Sequence, residues 1–201
     1  LCHNYQVMQS QSSVACIPVV KADGYGLGAV KIMEILRPLG AQSCFVAYKE
    51  EALDLRKHDN TLEIYILNGV YSAQSAALMA RHNFVPVLHD LHSLMVWSSY
   101  AQSQSKPLPC LLQIETGMNR LGLSLKDILG FSWQELDIKG MLTHMACGYQ
   151  KNHPYNAYQI QNFQPWKDRW PQWPYSLSGS SFLDPGMPKG KSVRVGRALY
   201  G

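Results

Sequence analysis

The chain has 201 residues, 46% of them hydrophobic and 16% charged, enough to bury a sizeable core and at the small end for an eight-stranded α/β barrel. Its net charge of +4 is scattered, with no basic run and no interleaving of basic and aromatic residues, so no nucleic-acid partner is expected. No apolar stretch approaches the roughly 18 residues of a spanning helix and no basic-then-apolar leader opens the chain, so no membrane partner is expected either.

The chain lacks an initiating Met and begins inside what reads as a helix, Leu1-Cys-His-Asn-Tyr, so 1–201 reads as one domain cut from a longer protein. The first strand is predicted at 17–21, an apolar run short enough to need cover on both faces. A helix follows at 29–36, with apolar residues at helical spacing, stopped by Pro38 and Gly40. Strands at 43–48, 62–67 and 85–88 then alternate with helices at 50–58, 72–82 and 91–100. Strand five is predicted at 110–114, and short helical turns at 125–129 and 133–136. Strand six is predicted at 138–144, helix six at 155–169, and strands seven and eight at 175–177 and 193–199. Residues 184–191, with two prolines and two glycines, are too poor in helix formers for a seventh helix and read as a loop. Eight strands alternating with amphipathic helices define an α/β protein, a (β/α)8 TIM-type barrel in preference to an open doubly wound sheet. The five cysteines include no C-x-x-C pair, and Cys16, Cys44 and Cys110 fall in apolar strand-like runs. They read as reduced core residues of a cytoplasmic protein.

The rest of the chain is arranged around Val19-Val20-Lys21-Ala22-Asp23-Gly24-Tyr25-Gly26-Leu27-Gly28. A lysine at the mouth of an apolar barrel is desolvated, which disfavours its charged form and frees an amine for Schiff-base chemistry with an aldehyde. The alternative is a strand-terminal lysine that reaches out to water. Three glycines let backbone N–H groups approach a ligand closely, and Tyr25 adds a hydroxyl. Arg120, in Glu115-Thr-Gly-Met-Asn-Arg120-Leu-Gly122 after strand five, offers a planar fork to a carboxylate or phenolate; its alternative is a surface ion pair with Glu115. His144 closes strand six, where a structural side chain is the commoner outcome. The other six histidines share no spacing, so no metal site is expected. Leu67 ends strand three, as core or as a wall of the site. Loops after strands seven and eight of such a barrel are the usual phosphate cradle. Here they are Tyr175-Ser-Leu-Ser178-Gly179-Ser180-Ser181, otherwise a plain turn, and the exit after Arg194-Val-Gly196-Arg197.

Lys21-Ala-Asp-Gly-Tyr25-Gly-Leu-Gly resembles the cofactor-lysine motif of the alanine racemases. The run around Arg120 resembles their T-G-M-x-R-L-G segment, and 194–201 their R-x-G-x-x-L-Y-G segment. The resemblance runs from His3 to Gly201 and implies a fold-type III enzyme that carries pyridoxal 5'-phosphate on Lys21. It further implies Tyr25, Leu67, His144, Ser178, Gly179, Arg194, Gly196 and Arg197 as cofactor contacts. Arg120 falls beside the carboxylate of a small amino acid substrate, and Arg194 faces the pyridine nitrogen. Because guanidinium only donates, that nitrogen keeps its lone pair, which favours reprotonation at the α-carbon over transamination. The implied reaction interconverts L- and D-alanine, supplying peptidoglycan synthesis. It requires a tyrosine on the opposite face of the cofactor, carried by a β-rich carboxyl-terminal domain of the partner in a homodimer, since one group reaches only one face. The chain departs from the family at Gln113, where many members carry a carbamylated lysine that holds the arginine. It departs again at Ser178-Gly179, where an asparagine and a serine are usual, so that backbone contacts to phosphate survive and a side-chain contact is lost. A non-catalytic single-barrel cofactor carrier and a vestigial interaction module remain as alternatives.

Overall fold

The computed structural model of the chain describes residues 1–150, 152–177, 179–180 and 190–201. The elements run α1 (Cys2–Gln11), β1 (Ala15–Pro18), α2 (Lys21–Tyr25), α3 (Ala29–Leu36), β2 (Ser43–Val46), α4 (Lys49–His58), β3 (Glu63–Ile66), α5 (Ala73–Arg81), β4 (Val85–Leu88) and α6 (Leu91–Ser103). Then follow β5 (Leu108–Gln113), a 3-10 turn (Leu125–Ile128), β6 (Leu136–Leu142), α7 (Pro154–Arg169), β7 (Tyr175–Ser176), β8 (Ser192–Val195) and α8 (Arg197–Tyr200).

All the strands pair in parallel. One set has the order β2-β3-β4-β5-β6-β7, and β1 pairs with β8 to form the remainder. Two seams join the sets. At the first, Val19 bridges Phe45 and the Val20 N–H donates to the Phe45 carbonyl at 2.8 Å. At the second, Arg194 of β8 donates to the Ser176 carbonyl of β7 at 2.8 Å, and the Ser176 hydroxyl donates to the Ser192 carbonyl at 2.7 Å. The ring so formed is the TIM-type barrel that the alternation of strands and helices predicts.

Strand alternation sorts the apolar residues into two cores. Val19, Phe45, Val85, Val87, Leu111 and Leu142 point inward and fill the lumen. Their neighbours Cys44, Val46, Ile64, Ile66, Leu88, Cys110, Leu112, Val193 and Val195 point outward and pack under the helices with Leu36, Leu55, Leu94, Trp97, Phe163 and Trp166. With both faces covered, the strands read as near-continuous apolar runs, which is why their order could be seen in the sequence. None of the five cysteines forms a disulfide, and Cys16, Cys44 and Cys110 are buried as expected.

Three boundaries differ from the expectation in ways that matter. β1 ends at Pro18, not at Lys21; the chain passes the Val19 bridge and turns into a left-handed segment, so Lys21 stands on the rim just beyond the strand. β8 ends at Val195 because Gly196 leaves the extended region, and 197–200 form a helical turn where strand was expected. Residues 133–136 are not helical; Trp133 packs edge-on against Trp173 at 5.2 Å and β6 starts at Leu136. Of the loop expected at 184–191, Gly190 bridges Ser176 in the antiparallel sense and Lys191 lies in a turn; 184–189 fall outside the described residues.

Candidate active site

The carboxyl ends of the strands open into a cavity of about 280 Å³. Lys21 and Tyr25 enter it from the turn after β1, Leu67 from beyond β3, Arg120 from the loop after β5, and His144 from beyond β6. Gly179, Arg194, Gly196 and Arg197 line it from the β7 and β8 ends. All the predicted site residues among those described therefore meet at one end of the barrel. Ser178 lies outside the described residues.

The turn bearing Lys21 is unusual. Ala22, Asp23 and Tyr25 have φ values of 52°, 50° and 56°, with Gly24 at 63°, a left-handed conformation that costs an ordinary L-residue about 1–2 kcal/mol. It is pinned on one side by Asp23, whose carboxylate accepts the Ala29 N–H of α3 at 2.8 Å. On the other side Glu51 of α4 accepts the Ala22 N–H at 2.5 Å.

Arg194 is a buried cation with no carboxylate beside it among the described residues. Its guanidinium instead donates to the Ser176 carbonyl, to the Ser176 hydroxyl at 2.6 Å and to the Thr143 carbonyl. Burial pulls its pKa down to about 10, which leaves it protonated at neutral pH. His144 is an exposed residue that faces the cavity, with protein atoms crowding its ring. That partial desolvation, then Arg194, Arg120 and Lys21, push its pKa down to about 4, so the ring is neutral.

The exits of β7 and β8 form a small polar cradle. The Ser180 hydroxyl accepts the N–H of Gly196 at 3.0 Å and of Ala198 at 3.2 Å, and is buried. A Cβ on Gly196 would stand 3.1 Å from the Tyr25 hydroxyl, so only glycine leaves that space open. Tyr25 is steadied by Tyr200, ring centroids 4.6 Å apart, and Tyr200 donates to the Val19 carbonyl at 2.9 Å. Ser180 is the serine of the tetrapeptide that the described residues place in this cradle; Ser178 and Ser181 lie outside them.

Arg120 makes no ion pair with Glu115 among the described residues. Its alternative partner Glu115 turns instead onto the Gly117 N–H of its own loop. Gln113, buried beneath, donates to the Leu121 carbonyl at 3.0 Å, so it fixes the backbone beside Arg120 and not the guanidinium itself. The sequence reading also missed Tyr149, which lines the cavity with the Arg197 guanidinium 5.4 Å from its ring centre. Behind the rim, Gln159 of α7 is fully buried. It donates to the Thr116 hydroxyl at 3.0 Å and the His144 carbonyl at 2.9 Å, and accepts the Ala146 N–H at 2.8 Å. A glutamine in a mixed helix gives no signal of this in the sequence.

Chemically, the arrangement sets an amine beside two arginines, a neutral imidazole and a hydroxyl-lined turn, at the end of the barrel where such folds build their sites. A family model described as alanine racemase, N-terminal domain, matches residues 1–201. An alanine racemase of Rickettsia typhi is 33% identical over 99% of this chain and 51% of its own length. One from Brucella abortus is 36% identical over 99% of this chain and 52% of its own. The crystal structure of alanine racemase from Bartonella henselae, with covalently bound pyridoxal phosphate, superposes with a TM-score of 0.91 at 31% identity, over all of this chain and 60% of that one. The chain belongs to the alanine racemase family, as its N-terminal domain. It spans about half the length of these curated relatives.

Among the described residues no helix is long and apolar enough to cross a membrane, and no group of three histidine, cysteine or acidic side chains converges on a point.

Proposed function

We propose that the protein containing this domain is a pyridoxal 5'-phosphate-dependent racemase that interconverts L- and D-alanine. The observation that carries this reading is that Lys21, Arg120, His144 and Arg194, drawn from four separate strand exits, line a single cavity. The residues suit the cofactor. Lys21 supplies the amine that an aldehyde needs, and Gly196 keeps open the space beneath the Tyr25 hydroxyl that a phosphate oxygen would take. Ser180, Gly179 and Tyr25 offer donors for that phosphate, Leu67 an apolar wall, and the flat face of His144 a stacking surface. Arg197, on the turn after Gly196, adds a positive charge near the same group.

When bound, the cofactor draws electrons from the substrate α-carbon and so makes its proton removable. Lys21 then takes and returns that proton on its own face. Arg120 holds the substrate carboxylate, and Arg194, confined to donating, leaves the pyridine nitrogen unprotonated. Inversion needs a second group on the other face. We assign it to a tyrosine in the half of the relatives' length that lies beyond this match, contributed across a homodimer. In the cell this activity would furnish cytoplasmic D-alanine for peptidoglycan.

Borohydride reduction of the full-length protein with pyridoxal phosphate, followed by peptide mapping, is expected to place a pyridoxyl adduct on Lys21. Lys21→Ala should lose it and all D-alanine production. Cofactor capture without turnover in the wild type would instead identify a carrier, and no adduct at all would leave only a vestigial module.

A further inference from the structure

We infer that Glu51, outside the cavity, is the positioning residue that aims Lys21. This rests on the reading of Lys21 as the cofactor lysine. Glu51 is the third residue of α4, where a carboxylate ordinarily returns to the N-terminal backbone of its own helix. One of its oxygens does so, accepting the N–H of Ala47 at 2.7 Å and of Tyr48 at 3.1 Å. The other crosses to the Ala22 N–H at 2.5 Å, on the turn that leaves β1. One side chain therefore ties the exit of β1 to the exit of β2.

The Ala22 N–H belongs to the same rigid plane as the Lys21 Cα and carbonyl. Fixing that N–H fixes the plane, and with it the direction in which the Lys21 side chain leaves the backbone. The plane needs fixing, because the next residues are left-handed at Ala22, Asp23 and Tyr25, where strain persists only if the surroundings hold it. Asp23 anchors the far end of the turn to α3. At the Lys21 end the fastening is Glu51, at the positive end of the α4 dipole where a carboxylate is favoured. A hydrogen bond to a charged acceptor is of the stronger kind. Releasing it lets Lys21 sample directions that miss the cavity, and the cost falls on covalent capture of the cofactor.

The test uses the full-length protein and three variants, Glu51→Ala, Glu51→Gln and Ser72→Ala. Ser72 caps α5 through the Ser75 N–H at 3.1 Å and is a control for the loss of a helix cap away from Lys21. The readouts are the pyridoxal phosphate dissociation constant, the fraction of Lys21 trapped by borohydride at fixed cofactor, and the melting temperature without cofactor. Glu51→Ala is expected to weaken cofactor affinity roughly tenfold, the equivalent of one charged hydrogen bond, and to lower the trapped fraction. Ser72→Ala should lower the melting temperature and leave both cofactor readouts unchanged. If Glu51→Ala does not fold, Glu51→Gln decides: its amide keeps one accepting oxygen and presents N–H donors where two acceptors were needed, so it should weaken affinity as well. Unchanged affinity in the folded Glu51 variants, or an equal loss in Ser72→Ala, overturns the inference alone. A wild-type protein with no adduct on Lys21 overturns the proposed function and this inference together.

Discussion

At the scale of single residues, the site depends on groups kept out of their usual charge state or company. His144 is the clearest case, its pKa depressed from 6.5 to about 4 by partial desolvation and three neighbouring cations. An unfolded chain takes up a proton on this histidine below pH 6.5, while the folded one refuses it until about pH 4. His144 therefore costs nothing above pH 6.5 and lowers stability progressively as pH falls from 6.5 toward 4. Carboxylates titrate in part of the same range, so the informative quantity is the difference between proteins. His144→Asn, which cannot titrate, should flatten the denaturant midpoint against pH relative to the wild type. Equal slopes would show that the ring is protonated when folded. Arg194 is the second case. Among the described residues its buried charge is met by carbonyl and hydroxyl oxygens of Ser176 and Thr143, which hold the guanidinium in place without neutralising it.

At the scale of elements, α7 acts as a clamp on two loops. Gln159, Asn162 and Tyr155 bond to Thr116, His144 and Ala146, to the Thr116 carbonyl at 2.9 Å, and to the Gly117 carbonyl at 2.7 Å, so the exits of β5 and β6 are held from one helix face. Gln159→Leu would fill the space but abandon buried partners, at a cost of about 3 kcal/mol. Chemical denaturation should show that loss, together with weaker substrate binding, because the loops carrying Arg120 and the backbone of His144 lose a shared anchor. A stability loss with an unchanged KM would confine Gln159 to the scaffold. The clamp is invisible in sequence for a physical reason: a glutamine on a helix is most often exposed, and only the packed barrel shows which one turns inward. The strands were legible, since apolar runs such as Val85-Pro-Val-Leu88 admit little else between turn signals. Their ends were less so. Val19 and Val20 still pair with Phe45, yet the chain leaves the sheet directly after them, because the left-handed turn after Lys21 is decided by contacts to Glu51 and Ala29 that lie elsewhere in the sequence. Gly196 carries the matching signal at the other end, and Arg197-Ala-Leu199 reads as strand only because Val193 and Val195 precede it.

For the whole molecule, site and barrel share one core. Phe45 sits in the lumen layer with Val19 and Leu142, its ring centre 4.7 Å from that of Tyr65, and its carbonyl accepts the Val20 N–H that closes the first seam. Phe45→Ala should cost about 3–5 kcal/mol, seen as a lower denaturant midpoint, and should loosen cofactor binding because Val19 and Leu142, which line the cavity, lose a partner from their shared lumen cluster. A variant that lost stability but bound cofactor unchanged would show that the lumen supports the fold alone. The order in which the chain is made adds a last consequence. Among the described residues, 15–18 pair with 192–195, so a growing polypeptide carries open strand edges until β8 emerges, a slow and aggregation-exposed route. The same late strand brings Arg194 and the Gly196 turn. Cofactor capture should therefore not precede ring closure, and the arrival of the cofactor marks the completion of this barrel.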